Sequence, residues 1–312
     1  MMHTRKLAIL ALTGTVFFWG TSFTATKAAY AELPPMAVIW LRMLIATAVF
    51  LPFWSRLPRP QRRRGDGLAV AASMAFIPCA YFTLEGYAMV FTSSSQAGVV
   101  SATAPLIVAV GAWIFLRERL RWQQVSAIIV SMAMVTVLAL AGTVQSSAPA
   151  PWLGNLLELG AMATAAGSTI TIKHLSSRYH PWLLAGLQAA TGAVFFAPLA
   201  LAGPAISWAS LSAQTWIAVA YLGVFPGLVA FGLYNTALRA LPAATASMAI
   251  NAIPAVAVIA GWLILGEGLT GVQIAACAAI IAAVGFAQWS SGTNVEPGEP
   301  LVSRAVDSVD TP

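Results

Sequence analysis

Charged residues are scarce in this sequence. Asp, Glu, Lys and Arg make up 8% of its 312 residues, whereas a soluble globular domain carries about 25%. Hydrophobic residues make up 59%, and the mean hydropathy is +0.81. This composition excludes a water-soluble globule. The apolar residues form continuous runs of about 20 rather than alternating segments of about 10, which predicts membrane-spanning helices and not a membrane barrel.

Residue types that usually carry chemistry are also rare. The chain has two cysteines and three histidines. Cys79 and Cys277 lie in apolar segments without metal-ligand spacing, and no aspartate falls within a predicted span. An intramembrane enzyme needs a clustered nucleophile and base, or a set of metal ligands. The sequence therefore predicts no enzymatic activity, no metal and no cofactor.

Ten apolar runs are long enough to cross a membrane as helices. Their connections are short, and the first run is too long for a cleaved signal peptide. The polar tail after the last run contains Pro and Gly and is predicted to be disordered. The predicted spans are 7–28, 36–54, 67–89, 95–116, 122–142, 152–173, 182–202, 214–236, 242–265 and 270–289.

Basic residues predict the orientation of these spans. Cytoplasmic loops of membrane proteins carry an excess of Lys and Arg. If the N-terminus is cytoplasmic, fourteen of the 16 basic residues fall on the cytoplasmic side, and the exceptions are Lys27 and Arg42. Both termini are therefore predicted to be cytoplasmic. The net charge of +6 reflects this topology, so nucleic acid is not predicted as a partner.

The second half of the chain repeats the first. An offset of 149 residues aligns Pro105 and Glu118 with Pro254 and Glu267, and an offset of 146 aligns the earlier part of each half. Each copy holds five spans, an odd number, so the second copy enters the membrane from the opposite side. Inverted repeats are typical of secondary transporters, with the site near the midplane between the copies. Because the two copies are fused, a monomer is sufficient for such a site.

Four prolines lie near the middle of predicted spans in two symmetric pairs. A proline in a helix interior costs roughly 3 kcal/mol because it removes a hydrogen bond and clashes with the preceding turn. The freed carbonyls need neighbours or water, which favours helices that line a cavity over helices that face lipid. The predicted kinks are at Pro78, Pro105, Pro226 and Pro254.

Several segments then resemble the ten-helix drug/metabolite transporter superfamily in its EamA-type branch, over about residues 7–289. The resemblance implies export of amino acids, including aromatic ones, or of related small metabolites across a bacterial inner membrane. It implies two EamA-like units, 1–142 and 152–289, followed by the tail 290–312. The segments that carry it are "FFWGTSFTATKAA", "PPMAVIWLRML", "SSSQAGVVSATAPLIVAVGAWIFLRERL" and "ALPAATASMAINAIPAVAVIAGWLILGEGL".

Candidate cavity residues lie on spans 1, 3, 8 and 9. Trp19 and Ser22 share one face of span 1, where small polar residues also serve helix packing. Spans 3 and 8 carry matching stripes of mainly aromatic residues, and such stripes also occur in the packed core of helical proteins. Asn251 of span 9 is both donor and acceptor, as recognition of an amino-acid head group requires. The stripe residues are Tyr81, Phe82, Glu85, Phe231 and Tyr234.

Arg42 is the clearest single signal in the spans. It lies about 10 Å inside span 2, at 1.5 Å per residue. A charge at this depth costs several kcal/mol unless it is paired or hydrated, so Arg42 is expected to face the interior and to pair with Glu85 or Glu158. The alternative is a structural pair or a side chain that reaches the outer surface. Its counterpart in the second half is Gln188.

Two other classes of membrane protein remain as alternatives to an amino-acid exporter. A multidrug efflux carrier shares the same fold and differs in its substrate. A channel is disfavoured because no ring of identical polar groups is present. The expected partners are therefore a small-molecule substrate and the lipid bilayer.

The topology is tested by labelling single cysteines in intact cells with an impermeant thiol reagent. A cysteine at Ser147 should react from outside, and a cysteine at Arg62 should be protected. The reverse pattern would overturn both the orientation and the inverted repeat.

Overall fold

The computed structural model describes residues 2–92, 94–118, 121–141, 149–266, 268 and 270–290. Glu267, Ser147 and the predicted tail beyond residue 290 lie outside the described residues. Every regular element in the described part of the chain is helical. The α-helices are α1 Met2–Tyr30, α2 Pro35–Trp54, α3 Asp66–Met74, α4 Tyr81–Phe91, α5 Ser94–Ser101, α6 Ala104–Leu116, α7 Trp122–Leu140, α8 Pro151–Leu175, α9 Pro181–Leu201, α10 Ala213–Val224, α11 Ala230–Ala240, α12 Ala243–Met248, α13 Ile253–Leu265 and α14 Gly271–Ser290.

Nine helical stretches within the described residues are long and apolar enough to cross a membrane, so an all-helical integral membrane protein is confirmed. They coincide with nine of the ten predicted spans. The remaining predicted span, 152–173, coincides with α8, which has 25 residues and is not among the nine. Its apolar character is diluted by polar side chains, of which Glu158, Ser168 and Thr169 are buried inside the bundle.

The third and eighth predicted spans are interrupted by π-helical turns. Ala75–Ala80 separates α3 from α4 and contains Pro78, and Phe225–Val229 separates α10 from α11 and contains Pro226. Ile77 has an extended backbone, with φ −127° and ψ 125°. Both interruptions free backbone carbonyls, which need new donors where water is excluded.

The fourth and ninth predicted spans are also interrupted, but in a different way. Ala102 and Thr103 separate α5 from α6, and a 3₁₀ turn, Ala249–Ala252, separates α12 from α13. Pro105 and Pro254 then lie in the first turn of the following helix. Proline is favoured there because its missing N–H would have no partner within the helix. The interruption, not the proline alone, removes the expected cost.

The helix boundaries of the two halves agree under the sequence offset. Residues 81–91 of α4 become residues 230–240 of α11, and residues 104–116 of α6 become residues 253–265 of α13. Both α6 and α13 end at a left-handed residue, Arg117 with φ 56° and Gly266 with φ 68°. Glycine adopts this conformation without cost, whereas arginine pays about 1 kcal/mol. The same backbone geometry therefore ends both helices despite the different residue.

The first helix of each half packs against the other half. α1 lies against α11 and α13, and α8 lies against α4 and α6. A Cβ on Gly14 would lie 3.0 Å from Leu233, and a Cβ on Gly160 would lie 3.4 Å from Leu84. Gly14 with Leu233 corresponds to Gly160 with Leu84 under the offsets, so equivalent residues make both crossings. Because the first helix of each half packs against the other half, the two halves are held together.

One end of the bundle, called here the basic end, holds the loops 55–65, 117–121, 176–180 and 241–242. The Glu118 carboxylate accepts hydrogen bonds from the backbone N–H of Ala243 at 3.0 and 2.9 Å. Lys173 Nζ donates to the carbonyls of Leu238 at 2.8 Å and Leu241 at 2.7 Å. These contacts satisfy backbone groups at the start of α12 and the end of α11, where a helix leaves them unpaired. The Glu118 contact joins the two halves at the basic end, and the Lys173 contacts join α8 to the end of α11 within the second half.

The other end of the bundle, called here the opposite end, is less closely packed. All six residues of α12 are buried at the basic end. In α5, the equivalent helix at the opposite end, residues 96–101 include only one buried residue, Ala97. Glu32 accepts a hydrogen bond from the Ser212 N–H at 2.8 Å, which holds the pKa of this carboxyl below its usual value. Equivalent helices therefore have different environments, closed at one end and more open at the other.

Lys173→Met should loosen the basic end, because two carbonyls lose a charged donor. Hydrogen bonds to charged groups contribute about 1.5–3 kcal/mol each, enough for roughly a tenfold rise in local opening. The measurement is the rate at which an impermeant maleimide labels Ser247→Cys in nanodiscs, with Cys79 and Cys277 replaced by serine. Lys6→Met, a change at an exposed lysine of the same end, should leave the rate unchanged. Equal rates in both variants would show that Lys173 does not hold this end closed.

Candidate functional site

An aromatic cluster joins α1 to α11 beside the interruption at Pro226. The ring centroid of Trp19 lies 5.1 Å from that of Phe231, edge to face, and 5.5 Å from that of Tyr234. Tyr234 is 5% exposed, and its hydroxyl lies 3.3 Å from Thr169 of α8. Trp19 is half-buried. The cluster thus offers a large apolar surface at the contact between the two halves.

Carbonyls within both π-helical turns accept hydrogen bonds from candidate residues. The Trp19 indole N–H donates to the carbonyl of Pro226 at 3.2 Å. Gln188 Nε2 donates to the carbonyl of Ile77 at 3.4 Å, and its Oε1 is buried without a hydrogen-bond partner. Each donor comes from a different helix, α1 or α9. Trp19 and Gln188 therefore stabilise the interruptions in addition to any contact with a substrate.

A second group of candidates, on α2 and α4, is polar. The Arg42 guanidinium lies 5.1 Å from the ring centroid of Phe82. The Tyr81 hydroxyl donates to Glu85 Oε1 at 2.6 Å. Arg42 interacts electrostatically with Glu85, and with Tyr81 and Tyr30. All of these except Phe82 and Tyr30 are half-buried.

The ion pair expected for Arg42 is not formed by direct contact. Among the described residues no carboxylate lies within 4.0 Å of its guanidinium, and its Nε is buried without a hydrogen-bond partner. The guanidinium stacks on Phe82 instead, and one oxygen of Glu85 is taken by Tyr81. Arg42 is therefore a cation with donors to spare inside a membrane helix.

Glu158 belongs to the same region, although the sequence indicated it only as one partner for Arg42. It is 1% exposed on α8, and its Oε1 accepts a hydrogen bond from Ser101 at 2.5 Å. Its Oε2 is buried without a partner. Glu158 interacts electrostatically with Glu85. The sequence signal was present, because this carboxylate lies six residues inside a predicted span, but its burial depends on α5 and α4 packing over it.

Two other candidates bond elsewhere. Asn251 is 3% exposed, and its amide donates to Ser131 of α7 at 2.8 Å. Ser22 is half-buried, and its hydroxyl donates to the carbonyl of Trp19 within its own helix at 2.6 Å. The hydrogen bonds of both residues are thus made outside the polar group.

The aromatic and polar groups meet at one hydrophobic cluster. This cluster is centred on Phe82 and Phe196, and Tyr81 and Phe231 pack against it. Phe82 and Phe231 are equivalent positions of the two halves, so the meeting point lies where the halves face each other. By contrast, a surface cavity of about 470 Å³ at the opposite end is lined by Glu32 and loop residues 204–211 and by no candidate residue.

Comparison with known proteins shows the family of this chain. The model of the EamA-like transporter family matches residues 6–140 and 152–288. A protein of Archaeoglobus fulgidus named as an uncharacterized transporter is 30% identical over 276 residues, which cover 85% of this chain and 92% of that protein. A known crystal structure superposes with a TM-score of 0.76 at 20% identity, over 91% of this chain and 97% of the other, and shows the fold alone.

Two further relatives have names that specify a substrate. A probable terminal-alkyne amino-acid exporter of Streptantibioticus cattleyicolor is 25% identical, over 83% of this chain and 86% of its own length. An S-adenosylmethionine/S-adenosylhomocysteine transporter of Chlamydia trachomatis is 24% identical, over 84% of this chain and 83% of its own length. Since the family model matches both halves, this chain belongs to the EamA-like transporter family.

Proposed function

We propose that this chain is a secondary transporter that exports amino acids or related small metabolites across the bacterial inner membrane. Its units are residues 1–142 and 152–289, two inverted five-helix repeats, with α8 as the tenth membrane-spanning helix. Both termini are cytoplasmic, so the basic end faces the cytoplasm and the opposite end faces outwards. A single chain is sufficient for transport.

The different burial of α5 and α12 carries the proposal of alternating access. These helices are equivalent in sequence position, yet α12 is buried throughout, whereas residues 98–101 of α5 are only half-buried and Gln96 is exposed. If the two repeats exchange conformations, α5 takes up the buried environment of α12 and α12 takes up that of α5. The second state then has contacts similar to those of the first. One state opens the site outwards, and the other opens it to the cytoplasm.

The broken helices support a site between the repeats. Spans 3 and 8 are interrupted at equivalent positions, and so are spans 4 and 9. Interrupted helices offer backbone groups to a polar substrate and allow one part of a span to move relative to the other.

Amino acids are supported as the substrate class by two observations. One relative is named as a probable amino-acid exporter. The aromatic cluster of Trp19, Phe231 and Tyr234 lies beside charged side chains, as an amino acid with an apolar side chain requires. A transporter of apolar compounds alone would have no use for the buried charges beside the aromatic cluster, because each one is costly in a membrane.

The substrate is tested by counterflow in proteoliposomes with a panel of amino acids. The wild type should exchange at least one of them saturably. Trp19→Ala should lower that flux by about tenfold or more, because it removes the ring that contacts Phe231 and Tyr234 and the N–H donor to the Pro226 carbonyl. Ile264→Ala, on an exposed apolar surface, should leave it unchanged. Flux of apolar cations without any amino-acid flux would favour multidrug efflux instead.

Alternating access is tested with Lys27, which corresponds to Lys173 under the offset of 146. If the repeats exchange environments, Lys27 helps to close the outer end as Lys173 does at the basic end. Lys27→Met should then raise maleimide labelling of Gly98→Cys and lower that of Ser247→Cys. Lys173→Met should shift both rates in the other direction. Changes of the same sign in both variants would contradict an exchange between two states.

A further inference from the structure

We propose that Arg42, Glu85 and Glu158 form a binding site for the charged groups of a free α-amino acid. The two carboxylates bind the substrate ammonium, and the guanidinium binds the substrate carboxylate. This inference rests on the proposed function and specifies the part of the substrate that is recognised.

The cationic side of the site is Arg42. Its guanidinium is partly desolvated against Phe82 and has no carboxylate partner among the described residues. An unpaired charge at this depth is costly, and a bound anion removes much of that cost. The planar guanidinium presents parallel N–H donors that match both oxygens of a carboxylate. A substrate carboxylate can therefore pair with the guanidinium of Arg42.

The anionic side is formed by Glu158 and Glu85. Glu158 Oε2 is buried without a partner, and Glu85 accepts one hydrogen bond, from Tyr81. The two carboxyl groups interact with each other, and among the described residues no Lys or Arg nitrogen lies within 4.0 Å of either one. An ammonium group carries three donors and one positive charge. It can satisfy both carboxylates and remove their mutual repulsion.

The order of the charges favours a zwitterion over a simple amine or acid. Glu85 interacts electrostatically with both Arg42 and Glu158, and its helix α4 packs against α8, which carries Glu158. An α-amino acid carries its ammonium and carboxylate on the same carbon, so it needs anionic and cationic groups that are immediate neighbours. Phe231 packs against the same cluster as Phe82, and Trp19 contacts Phe231. These rings are positioned to contact an apolar substrate side chain.

The repeat argues that these charges serve binding and not the scaffold. Some residues that shape the shared fold recur in both halves, as Gly14 with Leu233 and Gly160 with Leu84 do. The counterparts of Arg42, Glu85 and Glu158 carry no charge. They are Gln188, Tyr234 and Leu12. A fold that needs no charge at the equivalent position in one half does not need it in the other.

The test uses the amino acid that the wild type exchanges fastest, with its decarboxylated amine and its deaminated acid as competitors. For phenylalanine these are 2-phenylethylamine and 3-phenylpropionate. The wild type should prefer the amino acid over both analogues by at least tenfold. Glu158→Gln retains a group that hydrogen-bonds Ser101, and it should raise the KM for the amino acid at least tenfold while competition by the acid is retained.

Arg42→Gln should produce the complementary change. The KM for the amino acid should rise at least tenfold, and competition by the amine should be retained. Arg42→Lys should also be impaired, because a point charge does not reproduce the planar fork. Glu32→Gln and Arg56→Gln, which alter exposed residues away from the site, are the matched controls and should keep the wild-type KM and preference.

The outcomes separate this inference from the proposed function. If the wild type exchanges no amino acid, the proposed function is wrong. If it does so, but Glu158→Gln and Arg42→Gln keep the wild-type KM, only the binding site is wrong. If both variants lose affinity equally for the amino acid, the amine and the acid, the residues have a structural role and the proposed site is wrong. A wild type that prefers the amine would also overturn the site.

Discussion

A backbone carbonyl that is freed inside a membrane has to find a donor within the protein, because lipid offers none. The two π-helical turns free such carbonyls, and Gln188 and Trp19 supply donors at Ile77 and Pro226. Each donor belongs to a helix that packs beside the turn. The requirement therefore determines which helices adjoin the interruptions and places polar and aromatic side chains where the repeats meet.

The same requirement acts at the ends of the short helices. Glu118 satisfies the start of α12, and Lys173 satisfies the end of α11. Glu118 bonds the other half and Lys173 bonds a neighbouring helix of its own half, so these contacts hold the basic end together as well as satisfying the backbone. Each of these side chains hydrogen-bonds two backbone groups, and such contacts can break and form again. A transporter needs contacts that hold one state firmly enough to seal it and loosely enough to leave it.

The sequence predicted the features that depend on composition and spacing. Membrane helices and the positions of the interruptions were predicted from apolar runs and prolines, and the transporter family was predicted from segments that resemble it. It did not predict that Arg42 stacks on Phe82 instead of pairing with a carboxylate, because differences of a few ångströms between helices decide between these contacts. It also did not predict the different burial of α5 and α12. Because the sequences of the two halves are similar, they do not indicate which end of the bundle is closed.

The most direct test of alternating access is a pair of interspin distances measured by double electron–electron resonance in proteoliposomes. One pair of labels spans the basic end, at Arg56 and Arg239, and the other spans the opposite end, at Gln96 and Ser207. On addition of an exchanged amino acid, the populations should shift so that one distance shortens as the other lengthens. Distances that stay fixed, or that lengthen together at both ends, would contradict transport by exchange between two repeats.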